Sequence, residues 1–386
     1  MLNLLTISAL WHHLKRLTRV AIVVSGVFAL LIGLGIVLLR YWVLPDIERY
    51  HAKIADSLSQ AIGSEVAIGK IEADWRGLNP HLVLSEVQLL DEQNRPALVL
   101  PRVEGSVSWL SLPLAELRLK NLDIAQPQLL LLRNRQGRVF VGGIALREEA
   151  GDKSFANWIL HQSHVVVHGA RVVWADETRD APPLVLDDLN LRIENGLFAR
   201  HRFGLHASLP AELASPVDIR GDLRGKSFDN LADWNGRIFA QLNYIDVTAW
   251  RTWAELPAEL SRGKGGIRGW FDIHSGNLAG VAADVDLRHL LTRLSSELPE
   301  MEVDQLRGRV SWNSAPGETT FAIRKLSMQL HNGLKLPPTD LSLFLVRDKA
   351  GKVVSGEIGS GRMQLQSVLA LTPYVPMAPE WRSQLE

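Results

Sequence analysis

The chain has 386 residues, of which 46% are hydrophobic and 22% charged, with 42 basic side chains, 42 acidic side chains and no cysteine. This composition is that of a folded globular protein and excludes a disordered one. The zero formal net charge argues against nucleic-acid binding, which needs a concentrated basic surface, and the lack of cysteine excludes disulfides and thiolate metal sites.

An uncharged apolar run over residues 20–39 follows a short N-terminal segment. A helix of about 20 residues is long enough to cross the hydrocarbon core of a bilayer. We therefore predict a transmembrane anchor over residues 20–43, preceded by a cytoplasmic N-terminus over residues 1–19. A cleaved signal peptide is disfavoured, because the run is too long and Arg40-Tyr41-Trp42 is a poor cleavage site.

The flanking residues predict which way the anchor is oriented. An excess of lysine and arginine marks the cytoplasmic side of a membrane helix, and the first 19 residues contain no acidic side chain. Two aromatic residues follow the run, where an interfacial belt belongs. The topology-determining residues are therefore Lys15, Arg16, Arg19, Tyr41 and Trp42, and they place the bulk of the chain on the non-cytoplasmic side.

Residues 44–63 are predicted to form an amphipathic helix next to the membrane. Ile47, Tyr50 and Ile54 recur at three- and four-residue steps, which is typical of one helical face. Gly63 is well placed to end this helix.

The remainder of the chain is predicted to form strands separated by polar turns. Apolar and polar residues alternate in many short runs, which is the pattern of a strand with one buried and one wet face. We divide this part into a first β region over residues 64–150 and a second over residues 151–386, and the pattern favours a mainly β, antiparallel architecture with a few short helices. Residues 288–298 are ambiguous between helix and loop.

Motifs that would support catalysis or nucleotide binding are not found. Gly221–Ser227 has three residues between its glycines where a phosphate-binding loop needs four. His161, His164 and His168 have no interleaved acidic ligand and fall in different elements, so we interpret them as solvent-facing. No nucleophile elbow is present. We therefore expect no enzyme activity, no catalytic residue, no cofactor, no metal and no nucleotide.

Several stretches resemble the AsmA-like superfamily of Gram-negative bacteria, and more closely its YhdP branch. The resemblance spans most of the chain and is one of pattern rather than of an active-site motif. Besides the apolar run, the matching stretches are Leu44-Pro45, Gly63–Ile71, Trp75–Pro80, Leu82–Leu90, Asn134–Gly137, Trp158 and Val172–Trp174.

This resemblance implies a single-pass inner-membrane protein whose bulk lies in the periplasm. It also implies that the β part is an elongated, curled sheet, a groove with an apolar inside that conducts phospholipids between the inner and outer membranes. The expected partners are phospholipid acyl chains, the inner membrane and other envelope proteins. Family members are several times longer, so the resemblance implies that this sequence is an N-terminal portion.

The alternating strands supply candidates for the lining of such a groove. A sheet with one apolar face must bury that face or give it a ligand. The candidate lining residues are Val99, Val103, Val107, Phe203, Leu205, Leu209, Val217, Ile219, Leu223, Ile238 and Leu242. The same residues would alternate identically in a closed core, so an anchored envelope scaffold or assembly protein without a lipid conduit is the alternative hypothesis.

Overall fold

The computed structural model describes residues 18–374 apart from residues 21, 28–29, 31–32, 63–64, 91–95, 115, 142–143, 146–153, 180, 254–258, 296, 349–351, 362–368 and 370. Lys15, Arg16 and the junction between the two predicted β regions thus lie outside the described residues. Most of the described chain forms strands of one sheet, which confirms the prediction of a mainly β, antiparallel fold with a few short helices.

The 19 strands of the sheet are numbered in chain order. They are β1 Val66–Ala67, β2 Lys70–Arg76, β3 Asn79–Leu90, β4 Pro96–Val107, β5 Leu119–Ala125, β6 Gln128–Arg133, β7 Val139–Val141, β8 Ile144–Ala145, β9 His164–Asp176, β10 Leu184–Asn195, β11 Arg200–Ser208, β12 Val217–Arg224, β13 Asn235–Asp246, β14 Glu259–His274, β15 Asn277–Arg293, β16 Met301–Ala315, β17 Glu318–Leu330, β18 Lys335–Arg347 and β19 Val353–Ser360.

The helices are short. They are a π-helical turn at Leu39–Val43, α-helices at His51–Ile62, Ser111–Leu114, Ser154–Leu160 and Val247–Trp250, and 3₁₀ turns at Leu44–Tyr50, Leu197–Ala199, Leu231–Asp233 and Thr372–Tyr374. Residues 22–27 and 33–38 of the apolar run are also helical. Taking the described positions alone, no helix combines the length and the apolarity that a bilayer crossing requires.

The strands follow one another across the sheet almost in chain order. From β9 to β19 each strand pairs with the next in antiparallel fashion. The order changes among the first strands, where β1 pairs with β3 and β4 with β6, and β9 runs parallel to both β5 and β6. This parallel pairing joins the strands on either side of residue 150 into a single sheet, while the domain boundaries drawn from the sequence stay a prediction.

A line of backbone irregularities, three of them β-bulges, crosses the sheet at a similar position along the strands. Non-glycine residues adopt a left-handed backbone conformation at Glu86, Gln126, Asp188, His289 and Lys325, and we call these five residues the bulge line. Register shifts accompany the bulges in β10, β15 and β17. Because a bulge adds one residue to a strand, it bends the strand and increases the local twist, and this line gives the sheet a physical cause for its curl.

The bulge in β15 explains why the secondary structure of residues 288–298 is ambiguous in the sequence. β15 extends to Arg293, so most of this segment is strand rather than helix or loop. Leu287 and Leu290 are three residues apart on either side of the bulged His289, yet both are buried in one cluster. A spacing of three mimics a helical step, and the extra residue of the bulge therefore hides the strand pattern.

Four buried clusters flank the centre of the sheet. One packs Ile47 and Ile54 of the N-terminal helical segment against β1–β4, around Ile71. Another packs Trp158 and Ile159 against β5 and β9. The remaining two lie beyond the bulge line, around Leu184 and Leu213 and around Val303. These clusters hold the strand ends, and the helical face predicted for residues 44–63 is used in the first of them.

One face of the sheet carries cross-strand ion pairs. Arg309 of β16 binds Asp284 of β15 through two contacts, with Nε–Oδ1 and Nη2–Oδ2 distances of 2.6 and 2.9 Å. Arg268 of β14 lies 3.5 Å from the same carboxylate. The hydrogen bonds from Arg309 hold the pKa of Asp284 below its ordinary value, against the opposing effect of burial. This face is therefore ionised and wet at neutral pH.

The Asp284 pairing predicts a pH-dependent contribution to stability. A carboxyl group whose pKa is lowered by folding stabilises the protein above its ordinary pKa of about 3.9, and that stabilisation is lost as the pH falls towards the folded pKa. We expect Asp284→Asn to cost about 1 kcal/mol at pH 7 and less at pH 3, where the folded carboxylate approaches its lowered pKa, as measured by thermal unfolding. An equal loss at both pH values would mean that packing, rather than charge, is responsible.

Candidate functional site

Two rows of paired residues run along the opposite face of the sheet. Residues that pair across strands have their side chains on the same side, so a row can be followed from strand to strand. The first row crosses 15 strands without a polar side chain, from β2 through β5 and then from β9 to β19. Its members are Ala73, Leu82, Gly105, Leu122, Val165, Ile193, Phe203, Gly221, Ile238, Phe271, Val281, Trp312, Phe321, Leu343 and Ile358.

The second row lies two residues away on the same strands. It is apolar up to its last member, which is a serine. Its members are Ile71, Leu84, Val103, Ile124, Val167, Leu191, Leu205, Ile219, Ala240, Gly269, Ala283, Val310, Ile323, Leu341 and Ser360. We call the two rows together the apolar face. At about 4.8 Å between neighbouring strands, the apolar face extends for roughly 65 Å along the sheet.

Small residues recur along the apolar face. A Cβ atom added at Gly221 would overlap the ring of Phe203 on the neighbouring strand. Ala240, Gly269 and Ala283 occupy three consecutive strands of the second row. Side chains converge on the inner side of a curved sheet and diverge on its outer side, so small residues here allow the sheet to curl towards the apolar face.

The apolar face is covered at one end and uncovered over the rest. Near its start, Ile71, Leu122 and Val165 belong to the buried clusters that the helical segments cover. From β11 to β19 none of its members belongs to a buried cluster of the described residues. Towards β19 the side chains become more exposed, reaching 42% at Phe321 and 79% at Ile358. Within the part of the chain that the structure describes, no second layer covers this long apolar surface.

The predicted lining residues fall into three groups. Phe203, Leu205, Ile219 and Ile238 lie in the two rows, and Val217 and Leu223 lie beside them on the same face. Val103, which is a member of the second row, and Val107, Leu209 and Leu242 also face this side, but each packs against a buried cluster.

Val99 is the exception among the predicted lining residues. Its two neighbours, Leu98 and Leu100, both pack into the cluster around Ile71. Since neighbouring side chains in a strand alternate, Val99 points to the other face of the sheet. The alternation that relates it to Val103 is interrupted opposite Glu86 of the paired strand, whose backbone is left-handed.

Many members of the apolar face were not among the predicted lining residues. Phe271, Val281, Val310, Ile323 and Leu343 lie in strands whose alternation is visible in the sequence. What the sequence lacks is the register, because only the pairing of strands shows that these residues continue the rows that begin with Ile71 and Ala73.

The topology-determining residues are only partly described. Tyr41 and Trp42 are exposed, at 66% and 78%, and the guanidinium group of Arg40 lies 5.9 Å from the Tyr41 ring centroid. The described apolar side chains before them are also exposed, for example Val24 at 61%. Most of the described side chains of this segment are therefore not covered by other described parts of the protein. The orientation of the anchor, inferred from the flanking charges, stays a prediction.

His161, His164 and His168 are exposed, as predicted, and two of them contact acidic side chains. His161 Nδ1 is 2.6 Å from Glu116 Oε1, and His168 Nε2 is 3.3 Å from Asp123 Oδ2. Within the described residues, no three histidine, aspartate or glutamate side chains are grouped so that they could hold a metal ion.

The arrangement is suited to binding apolar chains. A continuous apolar strip whose reverse side is charged and hydrogen-bonded favours a ligand with a long hydrocarbon part. Binding would follow from the hydrophobic effect, at about 25 cal/mol for each Å² of apolar surface removed from water.

The comparison with known families agrees with this architecture and with the resemblance seen in the sequence. The model of the YhdP protein family matches residues 1–386, which is the whole chain. Neither a curated protein nor a solved structure matches the chain significantly. Because the family model covers every strand of the apolar face as well as the N-terminal segment, the chain belongs to the YhdP family.

Proposed function

We propose that the chain is a periplasmic protein, anchored in the inner membrane, whose apolar face carries phospholipid acyl chains between the inner and outer membranes. The observation that carries this proposal is the pair of neighbouring rows, one apolar over 15 strands and the other apolar up to its last member. Membership of the YhdP family is consistent with a role in envelope lipid transport.

The energetic reason for such a surface is the cost of moving a lipid through water. Burial of a methylene group is worth about 0.8 kcal/mol, so a lipid with roughly 30 such groups faces a barrier on the order of 20 kcal/mol in water. A continuous apolar strip removes most of this barrier because the acyl chains exchange one apolar contact for the next. The polar headgroup stays in water at the border of the strip, and no catalytic step is needed.

Anchoring is the second part of the proposal. The described parts of residues 20–39 are helical and expose their apolar side chains. Such side chains are stabilised when lipid surrounds them. With the basic N-terminus on the cytoplasmic side, the sheet lies in the periplasm and begins next to the inner membrane.

Photo-crosslinking tests the lipid contact directly. A benzophenone amino acid is placed at Ile219, which is on the apolar face, or at Arg220, its exposed neighbour on the opposite face. In the full chain, expressed in a Gram-negative host, we expect phospholipid adducts at residue 219 and none at residue 220, as detected by mass spectrometry. Adducts to protein alone at residue 219 would favour the scaffold alternative, and equal lipid adducts at both positions would contradict a specific lipid surface.

A further inference from the structure

Four leucine side chains at one edge of the sheet are about half exposed or more, although leucine is usually buried. Leu78, in the β2–β3 turn, is 82% exposed, and Leu110, Leu114 and Leu117, in the β4–β5 connection, are 59%, 48% and 51% exposed. We call these four residues the leucine patch. Single exposed apolar residues are common on protein surfaces, but a contiguous group of large ones marks an interaction site.

Hydrogen bonds and ring contacts hold the two connections together. Trp109 Nε1 donates to the backbone oxygen of Leu78 over 3.1 Å, and the rings of Trp75 and Trp109 lie 6.3 Å apart. The Ser111 hydroxyl closes the β4–β5 connection, since it donates to the backbone oxygen of Arg118 and accepts from its backbone nitrogen, both at 3.0 Å. The two connections that carry the leucine patch are therefore held together at one edge of the sheet.

The end of the apolar N-terminal run lies beside this surface. The guanidinium group of Arg40, the first charged residue after the run, stands 5.4 Å from the centroid of the Trp75 ring. Trp75 in turn contacts Trp109, which binds Leu78. The exposed Tyr41 and Trp42 follow Arg40 directly. An anchored chain thus brings the leucine patch to the place where the anchor leaves its membrane.

We infer that the leucine patch inserts into the interfacial layer of the same phospholipid bilayer that holds the proposed anchor. Leucine and tryptophan at the tips of turns are the residues that amphipathic proteins bury between headgroups and acyl chains, and tyrosine and tryptophan favour this layer. The membrane is the occupant rather than a protein, because the Arg40–Trp75 contact keeps the patch within reach of a bilayer wherever the anchor is inserted. The start of the sheet then contacts the membrane through the leucine patch as well as through the N-terminal anchor.

Site-specific fluorescence measures this insertion, and the lack of native cysteine makes labelling simple. Single cysteines are introduced as Leu78→Cys, Leu110→Cys or Leu117→Cys and labelled with a polarity-sensitive nitrobenzoxadiazole dye. The full chain is reconstituted in vesicles of phosphatidylethanolamine and phosphatidylglycerol that contain a nitroxide-labelled lipid. Val24→Cys reports on the anchor, and Leu197→Cys, which is also 82% exposed but lies in the β10–β11 turn, is the matched control.

We expect blue-shifted emission and at least twofold quenching by the nitroxide lipid at residues 78, 110 and 117, and an aqueous signal at residue 197. Quenching at residue 24 together with aqueous signals at the three patch positions would overturn the inference and leave the anchor intact. An aqueous signal at residue 24 would instead contradict the proposed anchor on which the inference rests. Quenching at residue 197 as strong as at residue 78 would also overturn it, since contact would then not be specific to the patch.

Discussion

Replacing Leu205 with aspartate is expected to slow phospholipid transfer more than tenfold while the sheet stays folded. Leu205 lies in the second row of the apolar face, paired with Leu191 and Ile219, and it is half-buried without belonging to a buried cluster. A carboxylate at this point would have to be desolvated each time an acyl chain passes, which costs several kcal/mol. Each 1.4 kcal/mol corresponds to about a tenfold change.

The matched control is the preceding residue of the same strand. Gly204 points to the polar face, and a Cβ atom there would meet no other atom within 4 Å. Its cross-strand partners are Arg192 and Arg220, so Gly204→Asp adds a carboxylate between two arginines. Transfer of a fluorescent phospholipid from donor vesicles that carry the full chain to acceptor vesicles should be slow for Leu205→Asp and unchanged for Gly204→Asp. Equal rates for the two variants would refute the apolar face as the lipid path.

Gly265→Ala is expected to have the largest effect on the fold. A Cβ atom at this position would overlap the backbone oxygen of Asp286 and lie 2.8 Å from the Cα atom of Leu287, both in the neighbouring strand β15. Backbone atoms cannot yield as the end of a flexible side chain can, so β14 and β15 must move apart. We expect a loss of about 3 kcal/mol, at the upper end of the usual cost of overpacking.

Gly204→Ala provides the comparison for this second prediction, because its added methyl group enters open space. Thermal unfolding should show a clear fall in the midpoint for Gly265→Ala and almost none for Gly204→Ala. Hydrogen exchange should accelerate in β14 and β15 before it does so in distant strands, since the damage is local to their pairing. If both variants unfold at the same temperature, the close approach at Gly265 is not essential to the sheet.

The sequence predicts the strands well because alternation is a local property. The runs around Leu205 and Ile219 are strands, as predicted, and they share the apolar face. The N-terminal helix at His51–Ile62 also follows from the spacing of its apolar residues. In these places the local pattern of apolar and polar residues is enough to predict the secondary structure and the buried face. The prediction does not depend on which distant strand is the partner.

The sequence fails where one residue is added or where the partner is remote. The bulge at His289 falls on a non-glycine position, so no glycine or proline signals it, and the alternation of residues 288–298 does not identify the strand. At Glu86 the backbone is left-handed, and the alternation of the paired strand does not show that Val99 points away from Val103. The parallel pairing of β9 with β5 and β6 depends on contacts about 40 residues apart in the chain. The sequence therefore predicts which side chains of a strand share a face. It does not predict that the apolar face continues from strand to strand.

The bulge line also bears on how a sheet of this kind changes length in evolution. Bulges occur strand by strand along the sheet, as at Asp188, His289 and Lys325, and the curl is therefore produced locally rather than by one central core. Inserting or deleting a hairpin with its own bulge would lengthen or shorten the apolar face by about 10 Å, two strand spacings, while its neighbours keep their packing. The length of such a sheet can change one hairpin at a time until it matches the distance that it must bridge. Repeat proteins change their length in the same way.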